Sequence, residues 1–309
     1  MILVIGASGY IGWYLTAALA ERDAVVATYR SNPIVPKGDS IRAVRLDACD
    51  RDQVRAILSD RRPETIVNLA AATMPDWCET HRPEAYKANV RIPENLVAFA
   101  GTCNARIVHL STCYVFPGDL PLGSPGYREA DVPAPVNYYG LTKLIGERVI
   151  QGYPRGIVCR LTHVFGPRLN HHEPNIFTKY YDDLDAKRPV AVLGKPHVIK
   201  PLYIKDAVDF LERIVGSDLQ SGLFHCAGLD SLTKVEFARK MCDTWGFDPS
   251  LIVPAATGDK RAKRPTNSCL DITRAISTLG FHPRTVDEAL QDIKKSDQRN
   301  NESFHEVLI

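Results

Sequence analysis

Tyr139 and Lys143 stand four residues apart in the stretch Asn137-Tyr138-Tyr139-Gly140-Leu141-Thr142-Lys143. On a helix that spacing puts both side chains on one face, one turn apart. A lysine ammonium near a phenol favours the phenolate and lowers the tyrosine's pKa. A tyrosine so placed can pass a proton to or from a substrate oxygen near neutral pH. The same pair also suits plain packing on an amphipathic helix, so its weight depends on what precedes it. Upstream, Ser111 and Thr112 follow the strand-like run Arg106–Leu110. A hydroxyl there would sit at the carboxyl edge of a sheet and could hydrogen-bond a substrate carbonyl.

The elements that must position these residues begin at Ile2-Leu3-Val4-Ile5, a continuous apolar run expected of a strand buried on both faces. Gly6-Ala7-Ser8-Gly9-Tyr10-Ile11-Gly12 follows at once, and Trp13 to Glu21 reads as a helix. Strand, glycine-rich turn and helix make a phosphate-binding unit: glycines let backbone N–H groups approach a pyrophosphate, and the helix N-terminus favours its charge. The spacing is G-x-x-G-x-x-G rather than the commoner G-x-G-x-x-G. Ala24 to Thr28 reads as a second strand. Beyond it, where an acid would meet a free ribose 2′-hydroxyl, the chain has Tyr29-Arg30-Ser31-Asn32. The Arg30 guanidinium suits the oxygens of a 2′-phosphate. NADP(H) is therefore favoured; NAD(H) stays open, because an arginine there also serves as a solvated surface residue.

Further strands are expected at Ile41–Leu46, ending at Asp47, at Thr65–Ala72, whose small residues would let a flat ligand approach the backbone, at Arg106–Leu110 and at Gly156–Arg160. Helices are expected at Arg51–Ser59 and at Ala85–Ala100, the latter interrupted by Pro93. Strands alternating with helices mean right-handed βαβ units. The fold class is thus α/β: a Rossmann-type doubly wound parallel sheet with a smaller α/β C-terminal substrate lobe. The dinucleotide-binding domain is expected over 1–165, with 196–225 returning to it, and the substrate lobe over 166–195 and 226–309. In the second half, Thr162–Pro174 reads as loop and carries a His171-His172 pair with no third metal ligand evident nearby. Asn175–Lys187, Leu202–Val215 (Asp206 near its start), Val235–Trp245 and Val286–Ile293 read as helices, Leu223–Cys226 as a strand, and Lys294–Glu302 as a frayed polar end. The basic run Lys260–Arg264 suits a solvated loop, or a holder of a substrate phosphate.

Composition narrows the class. A chain of 309 residues, 45% apolar and 24% charged, has the balance of a soluble globular protein with a sizeable core. A net charge of +2 with no basic stripe gives no nucleic-acid footprint. Eight scattered cysteines without a C-x-x-C pair suggest free thiols in a reducing compartment, and no metal-ligand spacing stands out. With no signal-peptide pattern and no apolar run of membrane-spanning length, a cytoplasmic protein is expected.

These pieces together resemble the extended short-chain dehydrogenase/reductases along nearly the whole chain. The glycine turn, Asp47, Asn68-Leu69-Ala70-Ala71, Asn89, Ser111-Thr112 and Tyr139-x-x-x-Lys143 fall in that superfamily's order. Within it, three segments are most similar to the dTDP-4-dehydrorhamnose reductases, which are sugar-nucleotide 4-ketoreductases: Ser-Thr-Cys-Tyr-Val-Phe-Pro at 111–117, Tyr-Gly-Leu-Thr-Lys-Leu-Ile-Gly-Glu at 139–147 and Arg-Pro-Thr-Asn-Ser-Cys-Leu-Asp at 264–271. The resemblance implies a catalytic triad of Thr112, Tyr139 and Lys143. Tyr139 would protonate a keto oxygen as the nicotinamide delivers hydride, Lys143 would lower its pKa and hold the cofactor ribose, and Thr112 would orient the carbonyl. It implies further that Gly6, Gly9, Tyr10, Ile11 and Gly12 hold the pyrophosphate and that Asp47 and Ala48 bound the adenine. Leu69, Ala70, Ala71, Asn89 and Ser111 join Tyr29 and Arg30 along the cofactor. Cys113, Tyr114, Asn175, Phe177 and Arg264 fall to the nucleotide sugar.

Two departures stand out. Cys113 occupies a position where these reductases carry an acid, and it is expected to be a small thiol packed beside the site. The loop 118–136 is longer than usual and could reshape the pocket. Relatives pair through helices flanking the sheet, which implies a homodimer. Three other readings stay open: an NAD-dependent nucleotide-sugar epimerase or dehydratase on the same scaffold, a non-catalytic NADP-binding subunit resembling the methionine adenosyltransferase β subunit, and a ketoreductase of a non-sugar metabolite.

Overall fold

In the computed structural model, which describes residues 1–36, 38–169, 172–193, 197–255 and 262–299, the first apolar run forms β1 (Ile2–Ile5), buried along its whole length. The chain then runs through α1 (Tyr10–Ala20), β2 (Val25–Tyr29), β3 (Ile41–Arg45), α2 (Arg51–Arg61), β4 (Thr65–Asn68), α3 (Pro75–Thr80), α4 (Arg82–Tyr86), α5 (Ile92–Ala100), β5 (Arg106–Thr112), α6 (Tyr138–Gln151) and β6 (Gly156–Leu161). Beyond these lie β7 (Val164–Phe165), α7 (Ile176–Asp185), β8 (Val190–Leu193), β9 (Val198–Ile199), β10 (Leu202–Tyr203), α8 (Ile204–Gly216), β11 (Gly222–Cys226), β12 (Leu232–Thr233), α9 (Lys234–Trp245), β13 (Ile252–Ala255), α10 (Thr273–Leu279) and α11 (Val286–Arg299).

Seven strands form one sheet in the order β11-β6-β5-β4-β1-β2-β3, and every pairing is parallel. The expected doubly wound α/β fold is the one observed. The strand order reverses at β1, between β2 and β4, and a sheet of this kind opens its ligand crevice at such a switch point. Alternation along β1 feeds two cores. Ile2 and Val4 pack on the side of Leu15 and Leu19 of α1 and Phe210 and Leu211 of α8. Leu3 and Ile5 pack with Val54 and Leu58 of α2 and Leu96 of α5. The first core continues into the C-terminal half through Phe177, Phe237, Phe281 and Leu290.

Several boundaries differ from the sequence expectation, each for a local reason. The strand expected over Thr65–Ala72 ends at Asn68, leaving the small residues as crevice lining. The helix expected over Ala85–Ala100 breaks upstream of Pro93, in a π turn at Lys87–Arg91 where Ile92 N–H reaches the Lys87 carbonyl. Proline has no N–H and crowds the carbonyl four residues earlier, which an extra residue in the turn relieves. Leu202 and Tyr203 pair with β7 as strand rather than opening a helix. The last helix runs to Arg299, with Lys294 Nζ bonded to the Thr244 carbonyl at 2.6 Å; residues 300–302 lie outside the described chain.

The loop after Phe116 is tied down at Tyr127. Its hydroxyl accepts from the N–H groups of Gly118 and Asp119, both at 2.9 Å, and donates to Asp119 Oδ1 at 2.6 Å. Its ring stacks on Phe116 at 4.3 Å, and its backbone exchanges bonds with Cys269 and Asp271. Among the described residues, no helix is long and apolar enough to cross a membrane.

Candidate active site

The glycine turn between β1 and α1 is shaped for close backbone approach. Gly6 has φ +81°, and a Cβ there would lie 2.9 Å from Ala70 N; a Cβ on Gly12 would overlap the Gly6 carbonyl oxygen and lie 2.8 Å from Ala7 Cα. Only glycine satisfies both positions at no steric cost. Around this turn opens a cleft of about 590 Å³, lined by Gly6, Ser8, Gly9, Tyr29, Arg30, Asp47, Ala48, Leu69, Ala70 and Ala71, and closed by Met74, Trp77 and Ile92. The bare glycine backbone, the start of α1 and the exposed Arg30 fit a dinucleotide with a phosphorylated ribose. Asp47 holds its own loop, accepting from Cys49 N–H at 2.9 Å.

Not every expected cofactor residue reaches the cleft. Tyr10 turns away and donates to the Pro167 carbonyl at 2.9 Å, while Ile11 packs against the α1-side core and Gly12 supports the turn from behind. Asn89 is fully buried; it exchanges two bonds with the Ala72 backbone (2.8 and 3.1 Å) and donates to Thr142 Oγ1 at 2.9 Å. It clamps the crevice wall to the helix of Tyr139. Ser8, Thr28, Cys49, Thr73, Met74, Trp77 and Glu84 line the cleft without having been singled out in the sequence. Ser8 lies inside the glycine turn, where the motif itself points to it; Met74 caps and Trp77 belongs to a six-residue helix too short for any periodicity to register.

At the cleft's inner end, Ala72 packs in the cluster of Cys78, Ala85 and Tyr139. Asn137 caps α6, accepting from Gly140 N–H at 2.8 Å, and so fixes the first turn that carries Tyr139. Gly140 lets that turn press on Tyr114, where a Cβ would overlap the carbonyl oxygen. Burial holds the Tyr139 phenol well above its ordinary pKa, and the Thr112 hydroxyl is the neighbour that favours the phenolate. This differs from the sequence expectation that Lys143 does so. The Lys143 ammonium is instead buried and donates to the Leu110 carbonyl at 2.5 Å. Burial pushes its pKa down to about 8, against the opposing pull of Glu147 one turn on. Behind it, burial keeps His109 neutral, paired with Asn68 at 2.9 Å.

Glu147 and Arg160 form a fully buried ion pair at 2.7 Å, with a second pair of contacts at 3.0 and 3.2 Å. Ser111 donates to the same carboxylate, so Ser111 braces the site rather than lining it. Arg160 lies over the Phe116 ring at 5.0 Å and meets His225 Nε2 at 3.4 Å.

Tyr114 sets its ring edge-on to Tyr139 at 5.8 Å and to His163 at 5.7 Å. Cys113 is buried beside Thr112, Ser268 and Cys269, and burial pushes its thiol up to about 12, far from a thiolate at neutral pH. Arg264, from the C-terminal half of the chain, lies beside Tyr114 and His163 and pairs with Asp76. Asn175 and Phe177 are not brought to this centre. Asn175 caps α7 and donates to the Gly166 carbonyl at 2.9 Å, and Phe177 packs on Tyr181 and Trp245 in the core. Of the His171-His172 pair, His172 rests near Tyr10 and His171 lies outside the described residues, as do Lys260 and Arg261 of the basic run.

Comparison with known proteins places this arrangement among relatives. Residues 1–299 match the family described as RmlD substrate binding domain. The chain is 30% identical over 308 residues to a dTDP-4-dehydrorhamnose reductase of Aggregatibacter actinomycetemcomitans, covering 95% of this chain and 98% of the relative. It is 29% identical over 295 residues to methionine adenosyltransferase 2 subunit beta of Bos taurus, covering 92% and 84%. Among solved structures, a hypothetical dTDP-4-dehydrorhamnose reductase from Sulfolobus tokodaii superposes with a TM-score of 0.79 at 28% identity, over 93% of this chain and 98% of the other.

Proposed function

Since the chain belongs to the RmlD substrate-binding-domain family, extended short-chain dehydrogenase/reductases like the dTDP-4-dehydrorhamnose reductases and hence NAD(P)-dependent oxidoreductases, we propose that it reduces a keto group on a nucleotide-activated 4-keto-6-deoxy sugar. The observation that carries this reading is the buried Tyr139 packed with Ala72 of the glycine-turn cleft, with the Thr112 hydroxyl as the neighbour that favours its phenolate. NADP(H) is the favoured cofactor, with NAD(H) compatible; when bound, it supplies the hydride. Tyr139 donates its proton to the keto oxygen as negative charge develops there. Thr112 donates a hydrogen bond to the same oxygen and holds the carbonyl in line. Lys143, with a pKa near 8 and one bond to the Leu110 carbonyl, offers its remaining N–H donors to the ribose hydroxyls and a positive charge to the phenolate that Tyr139 becomes. Burial raises the pKa of the resting phenol, which keeps it protonated and ready as an acid. Cys113 contributes shape beside the carbonyl.

In the division expected from the sequence, residues 1–165, joined by 196–225, would hold the cofactor, and 166–195 with 226–309 would hold the nucleotide sugar. The test is NADPH absorbance with a dTDP-4-keto-6-deoxy sugar. Tyr139→Phe is expected to lose activity by on the order of 10²–10⁴-fold, the usual worth of a positioned general acid. Full activity in that variant would sink the mechanism. A second reading, a subunit serving a partner enzyme, is favoured by the resemblance to methionine adenosyltransferase 2 subunit beta. It predicts dinucleotide binding without turnover and recovery of a partner enzyme on pull-down.

A further inference from the structure

Arg264 is held by one carboxylate 188 residues away in the sequence. Asp76 accepts its Nη1 at 3.0 Å and Nη2 at 2.8 Å, and takes the Ala262 N–H at 2.9 Å as well. Asp76 sits on α3, between Met74 and Trp77, which line the dinucleotide cleft. Arg264 belongs to the C-terminal half of the chain. It lines a hollow of about 10 Å³ with His163, His197, Lys234, Tyr114 and Ser268, a space for about one water molecule. Four nitrogen-bearing side chains meet around it. Burial, then Lys234, His197 and Arg264, keep His163 neutral, and its Nδ1 is buried without a partner in the structure. A guanidinium held fork to fork by a carboxylate is in the geometry that also takes a phosphate.

We propose that Asp76 is an internal stand-in for a substrate oxyanion: it holds Arg264 at the wall of this hollow until a phosphate of a nucleoside diphosphate displaces it. The proposal rests on the nucleotide-sugar reading above. Binding exchanges one carboxylate–guanidinium pair for a phosphate–guanidinium pair, so the affinity for the diphosphate depends on how firmly Asp76 holds its partner. α3 with its N-cap thus carries both the Arg264 partner and two residues of the cofactor cleft wall.

The test uses thymidine diphosphate as probe, with calorimetry on the full chain. Asp76→Asn keeps the side-chain shape, and NADPH binding and thermal unfolding report that the fold is intact. The expected result is tighter binding to Asp76→Asn than to the wild type by on the order of tenfold, the scale of one charge-assisted contact. Arg264→Gln should weaken binding and abolish that gain in the double variant. Unchanged or weaker binding by a folded Asp76→Asn overturns the proposal while leaving the nucleotide-sugar reading intact. A gain that survives in the double variant overturns it too, because the effect then bypasses Arg264. Absence of thymidine diphosphate binding in both wild type and Asp76→Asn removes the nucleotide reading and the proposal together.

Discussion

Glu147→Gln tests the brace beneath α6, the helix that carries Tyr139 and Lys143. Glu147 and Arg160 are 0% and 2% exposed, and the carboxylate takes three contacts from the guanidinium between 2.7 and 3.2 Å in addition to the Ser111 hydroxyl. Glutamine keeps the shape and removes the charge, leaving the buried Arg160 guanidinium with a neutral amide, His225 and the Phe116 face but no carboxylate. Removing one partner of a buried pair costs about 3–5 kcal/mol; the retained amide contacts put the expectation near the lower end, about 3 kcal/mol. For a chain of this size that is a fall in Tm of roughly 6 °C. The contrasting variant is Glu147→Met with Arg160→Met, which removes both charges and is expected to recover most of the loss. Urea and thermal unfolding of the wild type, Glu147→Gln, the Glu147→Met and Arg160→Met singles and the double would measure the cost and the coupling. A single variant within about 1 kcal/mol of wild type, or a double that loses the sum of the singles, would refute the idea that an uncompensated buried charge sets the cost.

Lys143→Met should stabilise the protein below pH 8 while abolishing reductase activity. The lysine's pKa is lowered in the fold from 10.5 to about 8; between those values the unfolded chain binds more protons, so wild-type stability rises with pH across that window and the advantage of the methionine shrinks, by up to about 3 kcal/mol. Unfolding free energies at pH 7 and pH 10 check it, and a pH-independent difference would contradict it. Gly12→Ala should lose NADPH binding and lower Tm, because the added methyl meets the Gly6 carbonyl and Ala7; fluorescence titration reads the first effect. Arg30→Ala should raise the KM for NADPH by on the order of tenfold with little change for NADH, and equal effects on the two cofactors would remove Arg30 from the 2′-phosphate.

The sequence announced what is local and hid what is not. β1 and the glycine turn were readable because a two-sided strand and a tight turn each dictate residue type within a few positions. The paired two-residue strands, Val164–Phe165 with Leu202–Tyr203 and Val198–Ile199 with Leu232–Thr233, carry no pattern of their own; they exist because distant segments meet. The same holds for charge. Tyr139 and Lys143 stand one turn apart on α6, yet the lysine donates to a carbonyl on β5, and burial is the largest influence on the phenol's pKa. Arg264 suggested a substrate phosphate, and its partner Asp76 lies 188 residues away.

The π turn at Lys87–Arg91 has a meaning for the helix that contains it. One residue more than an α turn requires shifts everything downstream by about 100° around the axis. The segment thus serves two masters in different phases. Upstream of the shift, Ala85 looks toward Tyr139, and Asn89 in the turn itself grips Ala72 and Thr142. Downstream, Ile92, Leu96 and Ala100 address the sheet core with Leu3 and Ile107. Gly146 of α6 comes so near the turn that a Cβ would overlap the Asn89 carbonyl oxygen. The phase slip, with proline behind it, is what lets one rod lean backbone-first on α6 and still finish as part of the hydrophobic wall.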